Sequence, residues 1–331
     1  WKAEIRSYAD YLSKQEKPAA VKPARKEYKD KEVKLKGWPF DATTAKAMLS
    51  KEVETQKSIE LAPGIRMNFV RIPAGSFVMG SNRGHSDYSP VSKQVVKKAF
   101  WMGEIEVSNE QFRTIFPDHN SRFIGQLWKD HVHEGYPANN PEQPAIRVSW
   151  QEAMDFCKKL SEKTGLNVTL PTEVQWEWAC RAGSADDFWY GSLNADFAKF
   201  ENLADAQLNK AAVRGVNPQP MSPKDGWYKY YTYQPKENGV DDGNMLMVKG
   251  GSYQANPWGL YDMQGNVAEW TRSDYMPYPY NEKTQDGTGT EKVARGGSWT
   301  EHPKTCTSYY RKAYLPWQKV YNVGFRVIIE D

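Results

Sequence analysis

Hydrophobic positions fall into helical or strand periods in only a few stretches, separated by long polar, glycine-rich segments. Residues 1–17 carry apolar side chains at Ile5, Tyr8, Tyr11 and Leu12, a spacing that predicts a helix. The run 18–37, rich in Pro, Lys and Glu, reads as a linker. At 37–41 (GWPFD) the pattern changes, and Asp41 stands where an N-cap belongs, ahead of Ala45, Met48 and Leu49. Residues 58–73 alternate well enough for one or two strands, with Pro63-Gly64 as the turn.

Two further helices announce their own starts. Ser149-Trp-Gln-Glu152 is a capping box, in which the hydroxyl accepts from the N3 amide while the glutamate reaches back. Ala153, Phe156, Cys157 and Leu160 follow at helical spacing, and Gly165 closes the helix. Thr172-Glu-Val-Gln175 repeats the logic for a helix ending near Gly183. Cys157 and Cys180 fall on these helices among apolar neighbours and read as packing residues. From 184 to 330 the pattern is short strands and long aromatic loops. The organisation expected is therefore an N-terminal helix and basic linker at 1–57, then one α+β domain at 58–331.

Composition sharpens this picture. The 331 residues are 39% hydrophobic and 26% charged, with 13 Trp, 19 Tyr and 12 Phe. Many large flat side chains with few long apolar runs suit an irregular, loop-heavy fold. No apolar run is long enough to span a bilayer as a helix. Lys and Arg number 14 against 10 Asp and Glu in residues 1–60, which leaves 30 against 31 in the rest. A body so nearly neutral argues against nucleic acid as a partner. Cys157, Cys180 and Cys306 can make at most one disulfide, so no disulfide framework exists. The chain starts at Trp1 and reads as a piece of a larger, multidomain protein.

Candidate chemistry concentrates in two segments. GLYDMQGNVAEW (259–270) places Asp262 and Glu269 around Gly265 and Val267, mixing carboxylates with carbonyls as calcium prefers. An Asx-turn beside a surface glutamate would give the same spacing, so the residues alone leave both readings open. The second segment, Ser298 to Cys306, brings Glu301, His302 and a thiol within six positions. Such a set suits zinc or iron(II), or His302 lowering the pKa of a nucleophilic Cys306; it also suits a plain polar loop over a buried cysteine. His131 and His133 alternate as two rings on one face of a strand would.

IPAGSFVMGS (72–81), GEIEVSNEQF (103–112), PAIRVSWQEAMDFC (144–157), LPTEVQWEWACRAG (170–183), GLYDMQGNVAEW (259–270), ARGGSW (294–299) and NVGFRV (322–327) occur in this order. Together they resemble the formylglycine-generating enzyme, or sulfatase-modifying factor, family over roughly residues 60–331. GWPFD is similar to a lead-in of multidomain bacterial relatives. The resemblance implies an irregular fold akin to C-type lectins, with little regular secondary structure. It implies structural Ca2+ at two sites. One would use the side chains of Asp262 and Glu269 with the carbonyls of Gly265 and Val267. The other would use Asn202 and Asp242 with the carbonyls of Leu203 and Asn244. Calcium dependence in turn implies an extracytoplasmic setting, periplasmic or at the cell surface.

At the catalytic position the resemblance breaks. The family binds Cu+ between two cysteines spaced Cys-x4-Cys after its GGS-aromatic block; here Glu301 stands in the first place and Cys306 in the second. A carboxylate is too hard a ligand to replace a thiolate on copper. The resemblance then leaves three functions. One is a binding or accessory module for a peptide, a glycan or a partner domain, with Trp299, Tyr310, Arg311, Trp317 and Arg326 lining its groove. Another is formylglycine generation on a Cys-x-Pro-x-Arg peptide, in which Ser298 and Cys306 would take part. The third is some other oxidoreductase activity at Glu301, His302 and Cys306. The first is the expectation carried forward.

Overall fold

The computed structural model describes residues 33–83, 86–124, 135–207, 240–281 and 289–331. The helix and linker expected before residue 33, and His131 and His133, lie outside the described residues. The domain expected to begin at 58 forms a compact unit from Val33 onward. Trp38 and Ala45 belong to its core.

Asp41 caps the first helix, α1 (Ala42–Leu49), its carboxylate accepting from the Thr44 amide at 2.8 Å. Strands β1 (Gln56–Ala62) and β2 (Ile65–Ile72) then form the expected hairpin about Pro63-Gly64. Gly64 takes φ +77°, a left-handed turn conformation that glycine adopts without a Cβ clash. A small ribbon, β3 (Gly75–Met79) with β4 (Ser92–Val96), precedes β5 (Phe100–Gly103).

Both capping boxes read from sequence are present. Helix α3 (Trp150–Thr164) begins at Ser149 and Glu152, buries Ala153, Phe156, Cys157 and Leu160, and ends at Gly165. Helix α4 (Glu173–Arg181) begins at Thr172 and Gln175 and ends at Ala182. A shorter helix, α2 (Asn109–Arg113), uses a third box at Ser108 and Gln111. The pair β6 (Phe123–Ile124) and β7 (Tyr136–Pro137) lies between α2 and α3.

A five-stranded antiparallel sheet runs β1-β2-β5-β13-β8, with β8 at Asn167–Thr169 and β13 at Ile328–Glu330. The second sheet runs β11-β10-β9-β12: β9 (Ala268–Asp274), β10 (Lys292–Arg295), β11 (Arg311–Tyr314) and β12 (Val323–Gly324), the last parallel to β9. Short strands and loops packed on large aromatic cores give the mixed α+β architecture expected. Trp176, Trp178, Trp258 and Trp270 are all fully buried. Each indole N–H finds an acceptor, as in Trp178 to the Pro73 carbonyl at 2.8 Å and Trp270 to Val148 at 2.9 Å. No helix among the described residues is long and apolar enough to cross a membrane.

Candidate functional site

The loop after β10 begins with Gly296 and Gly297, both at positive φ. Gly297 is required for a second reason: a Cβ there would stand 2.3 Å from the Cys306 sulfur. Cys306 therefore packs beneath the turn, fully buried, with its Sγ 3.7 Å from the Glu301 carbonyl oxygen. Burial pushes the thiol up to about 12. That direction favours the packing reading of Cys306 over the nucleophilic one, the two readings that its sequence position left open. His302 does not activate it; its Nδ1 accepts from the Lys304 amide at 3.1 Å and caps the short turn Pro303–Thr305.

Glu301 forms an ion pair with Lys312 on β11. Asn322 closes the network by donating to Glu301 Oε1 at 3.0 Å and to Ser298 Oγ at 2.8 Å. Ser298 is thus a buried acceptor in this network and faces no open cleft. The Glu301 and Lys312 side chains are 12% and 22% exposed. Burial pulls the Lys312 ammonium down to about 8. Glu301, His302 and Cys306 consequently do not converge on a common centre. Among the described residues no group of three or more His, Cys, Asp or Glu side chains is placed to hold a metal.

The first expected calcium set does not fit as read. Both Glu269 oxygens accept from Arg326, at 2.6–2.8 Å, and Oε2 also accepts from Trp176 Nε1 at 2.7 Å. Glu269 is therefore the buried counter-ion of Arg326. Asp262 keeps one oxygen, Oδ1, buried without a partner, while Oδ2 accepts from the Gly251 amide at 2.6 Å. Gly265 belongs to a close backbone crossing, where a Cβ would stand 2.6 Å from the Asn202 carbonyl oxygen. Val267 is buried beside it.

The second set fits a hard cation in its donor chemistry. Asn202 Oδ1 is buried without a hydrogen-bond partner. Asp242 is pushed up to about 7 by burial, with the Asp205 charge adding to the shift and the Asn244 amide opposing it. Its carboxylate accepts from Asn244 N at 2.7 Å and Tyr253 OH at 2.8 Å, which leaves lone pairs over. Leu203 follows Asn202 directly in a buried segment.

Three of the expected groove residues are core. Trp299, Arg311 and Arg326 are each less than 5% exposed; the two arginines make internal ion pairs, while the Trp299 indole N–H is buried without a hydrogen-bond partner. Arg311 pairs with Glu173 at 2.8 Å. Tyr310 is half-buried against the main core, and only Trp317, 59% exposed, presents its ring to solvent.

Sequence reasoning missed two buried charge systems. Arg295 bridges Glu173 at 2.9 Å and Glu177 at 2.5 Å, and Arg181 also pairs with Glu177 at 2.9 Å. Glu106 and Glu201 are fully buried, and burial followed by the Asp262 charge drives both well above the usual carboxylate range. Each keeps one oxygen without a hydrogen-bond partner. A charged residue reads as solvated from sequence, whether on α4 and β10 as in the first system or in a loop as in the second, so neither system left a local signal.

Comparison with known proteins agrees with this architecture. Residues 55–331 match the sulfatase-modifying factor enzyme 1-like domain. The formylglycine-generating enzyme of Mus musculus is 25% identical over 305 residues, covering 78% of this chain and 73% of the mouse protein. A Bos taurus protein named inactive C-alpha-formylglycine-generating enzyme 2 is 27% identical over 284 residues, covering 73% of this chain and 80% of its own length. Among solved structures, PvdO from Pseudomonas aeruginosa superposes with a TM-score of 0.60 at 22% identity, over 85% of this chain and all of PvdO. With the family profile spanning most of its length, the chain belongs to the sulfatase-modifying factor enzyme 1-like (formylglycine-generating enzyme) family.

Proposed function

We propose that this domain is an accessory or binding module that keeps the family fold without copper-dependent oxidase chemistry. The observation that carries the reading is the Glu301–Lys312 ion pair held by Asn322, at the position where the family resemblance calls for a copper-binding cysteine. Copper(I) favours two soft thiolates at low coordination number. Here one candidate ligand is a hard carboxylate whose Oε1 is engaged by Lys312 and Asn322. The other is a buried thiol whose pKa burial raises well above the ordinary cysteine value. The relative named as inactive supports the idea that the fold can persist without the reaction. A peptide, glycan or partner domain would meet the loop surface bearing Trp317.

The test is competition for Cu(I) against bathocuproine under reducing conditions. The reading expects the folded protein to leave the copper with the chelator. Stoichiometric copper capture that Cys306→Ala abolishes would overturn it.

We further propose that a calcium ion is held by Asn202, the Leu203 carbonyl, Asp242 and the Asn244 carbonyl, where it would pin long loops. A cation bound only by the folded state stabilises it by mass action. Calcium should therefore raise the melting temperature of the wild type and not that of Asp242→Asn. An equal response in both would remove the site.

A further inference from the structure

We propose that the cavity lined by residues of α2 and α3 is a binding site for an organic anion, a phosphate or carboxylate carried on an apolar body. This inference stands apart from the proposed function above, since none of its residues belongs to the Glu301 network. The cavity measures about 640 Å³. Four cationic side chains line it, Arg122, Arg147, Lys159 and Lys319, against two carboxylates, Asp118 and Glu152. Glu152 is already engaged by the Lys319 ammonium and by the Ser149 amide at 2.9 Å. Asp118 is exposed at the rim. Among the described residues the wall is thus net positive, which is the complement of an anion.

The two arginines are the core of the argument. Arg147 is 8% exposed, and its guanidinium is aimed by donation to the carbonyls of Ser121 at 2.5 Å and Phe123 at 3.1 Å. Burial first, and then the like charge of Arg122, pull it down to about 10. Two guanidiniums that repel one another across a cavity wall are stabilised by an anion between them, and their planar forks suit phosphate or carboxylate oxygens.

Both arginines also occupy the left-handed backbone region, Arg122 at φ +61° and Arg147 at φ +55°. A side chain with a Cβ is strained there, and two such residues on one cavity wall mark the kind of place where strain is retained for function. The floor supplies the apolar half. Phe112 and Phe116 stack at 4.9 Å, and Lys159 lies 4.3 Å from the Phe116 ring centre. His119, edge-on to Phe112 at 4.6 Å, is pushed down to about 4 mainly by burial. It is therefore a neutral ring at pH 7 and brings no further charge.

The experiment is calorimetric titration of the full chain with phenyl phosphate, inorganic phosphate and benzyl alcohol at low ionic strength. An acetylated Glu-Phe-Glu peptide forms a parallel arm. Phenyl phosphate should bind saturably and more tightly than inorganic phosphate, and benzyl alcohol should not bind. Tighter binding of the peptide would place the anion on a polypeptide; tighter phenyl phosphate would place it on a small molecule; either supports the site. Arg122→Gly should weaken binding by about tenfold through loss of a charge-assisted contact, while raising the melting temperature of the free protein by relieving its backbone. Phe116→Ala should erase the preference for phenyl phosphate over inorganic phosphate. The proposal fails if folded wild type shows no saturable binding of any of the anions up to about 10 mM, a limit far weaker than specific recognition. It fails equally if Arg122→Gly binds as the wild type does.

Discussion

Replacing Lys312 by methionine keeps most of the aliphatic stem and removes the ammonium from Glu301. The cost follows from how far the pair lies from water. Solvent-exposed pairs contribute about 0–1 kcal/mol, whereas removing one partner of a fully buried pair costs about 3–5 kcal/mol. With side chains 12% and 22% exposed, Glu301 and Lys312 fall between these limits. Asn322 continues to donate to the carboxylate after the change, which softens the loss. The expected destabilisation is about 2 kcal/mol, or a fall in melting temperature of roughly 4 °C for a domain of this size. Glu301→Gln and the double variant complete a thermodynamic cycle, measured by urea unfolding followed through tryptophan fluorescence. The coupling energy should be about 1.5 kcal/mol. A coupling below about 0.5 kcal/mol would mean that the pair does not hold this loop, and the structural reading of Glu301 would lose its support.

Three other outcomes follow from the same geometry. Cys306, raised to about 12 beneath Gly297, should resist iodoacetamide in the native protein at pH 8 and react on denaturation; rapid native alkylation would contradict its placement. Arg326→Met leaves Glu269 buried with only the Trp176 N–H, and should cost about 3–5 kcal/mol in chemical unfolding, part of which Glu269→Gln restores. His119 has a folded-state value of about 4, below its usual 6.5, so the unfolded chain binds the extra proton between those values. Stability should thus be greatest above pH 6.5 and decline as pH falls toward 4, and His119→Gln should flatten that limb of the pH profile.

What the sequence made legible was whatever is local. The boxes at Ser149-Glu152 and Thr172-Gln175 each place a hydroxyl and a carboxylate or amide three residues apart, and both helices begin where those residues stand. The hairpin about Gly64 is legible for the same reason. Ser108-Gln111 carries the same signal but opens a helix of only five residues, too short for a periodic pattern. The pairings that decide the candidate site are long-range. Glu269 meets Arg326 57 positions away, and Arg295 meets Glu173 122 positions away. Nothing near either residue in sequence distinguishes a buried ion pair from a solvated charge. Trp299 and Arg326 therefore read as groove residues although the fold places them inside. Glu301 shows the limit well: the missing cysteine was visible, but its replacement by an ion pair required the position of β11.

The central claim is that this domain has the family's fold and not its oxidase reaction. Its most direct test is mass spectrometry of a Cys-x-Pro-x-Arg peptide incubated with the folded protein, Cu(I), a thiol reductant and oxygen, beside a Cys306→Ala control. The account predicts that the peptide cysteine is unchanged in both samples. Conversion to formylglycine by the intact protein, lost in the Cys306→Ala control, would contradict it.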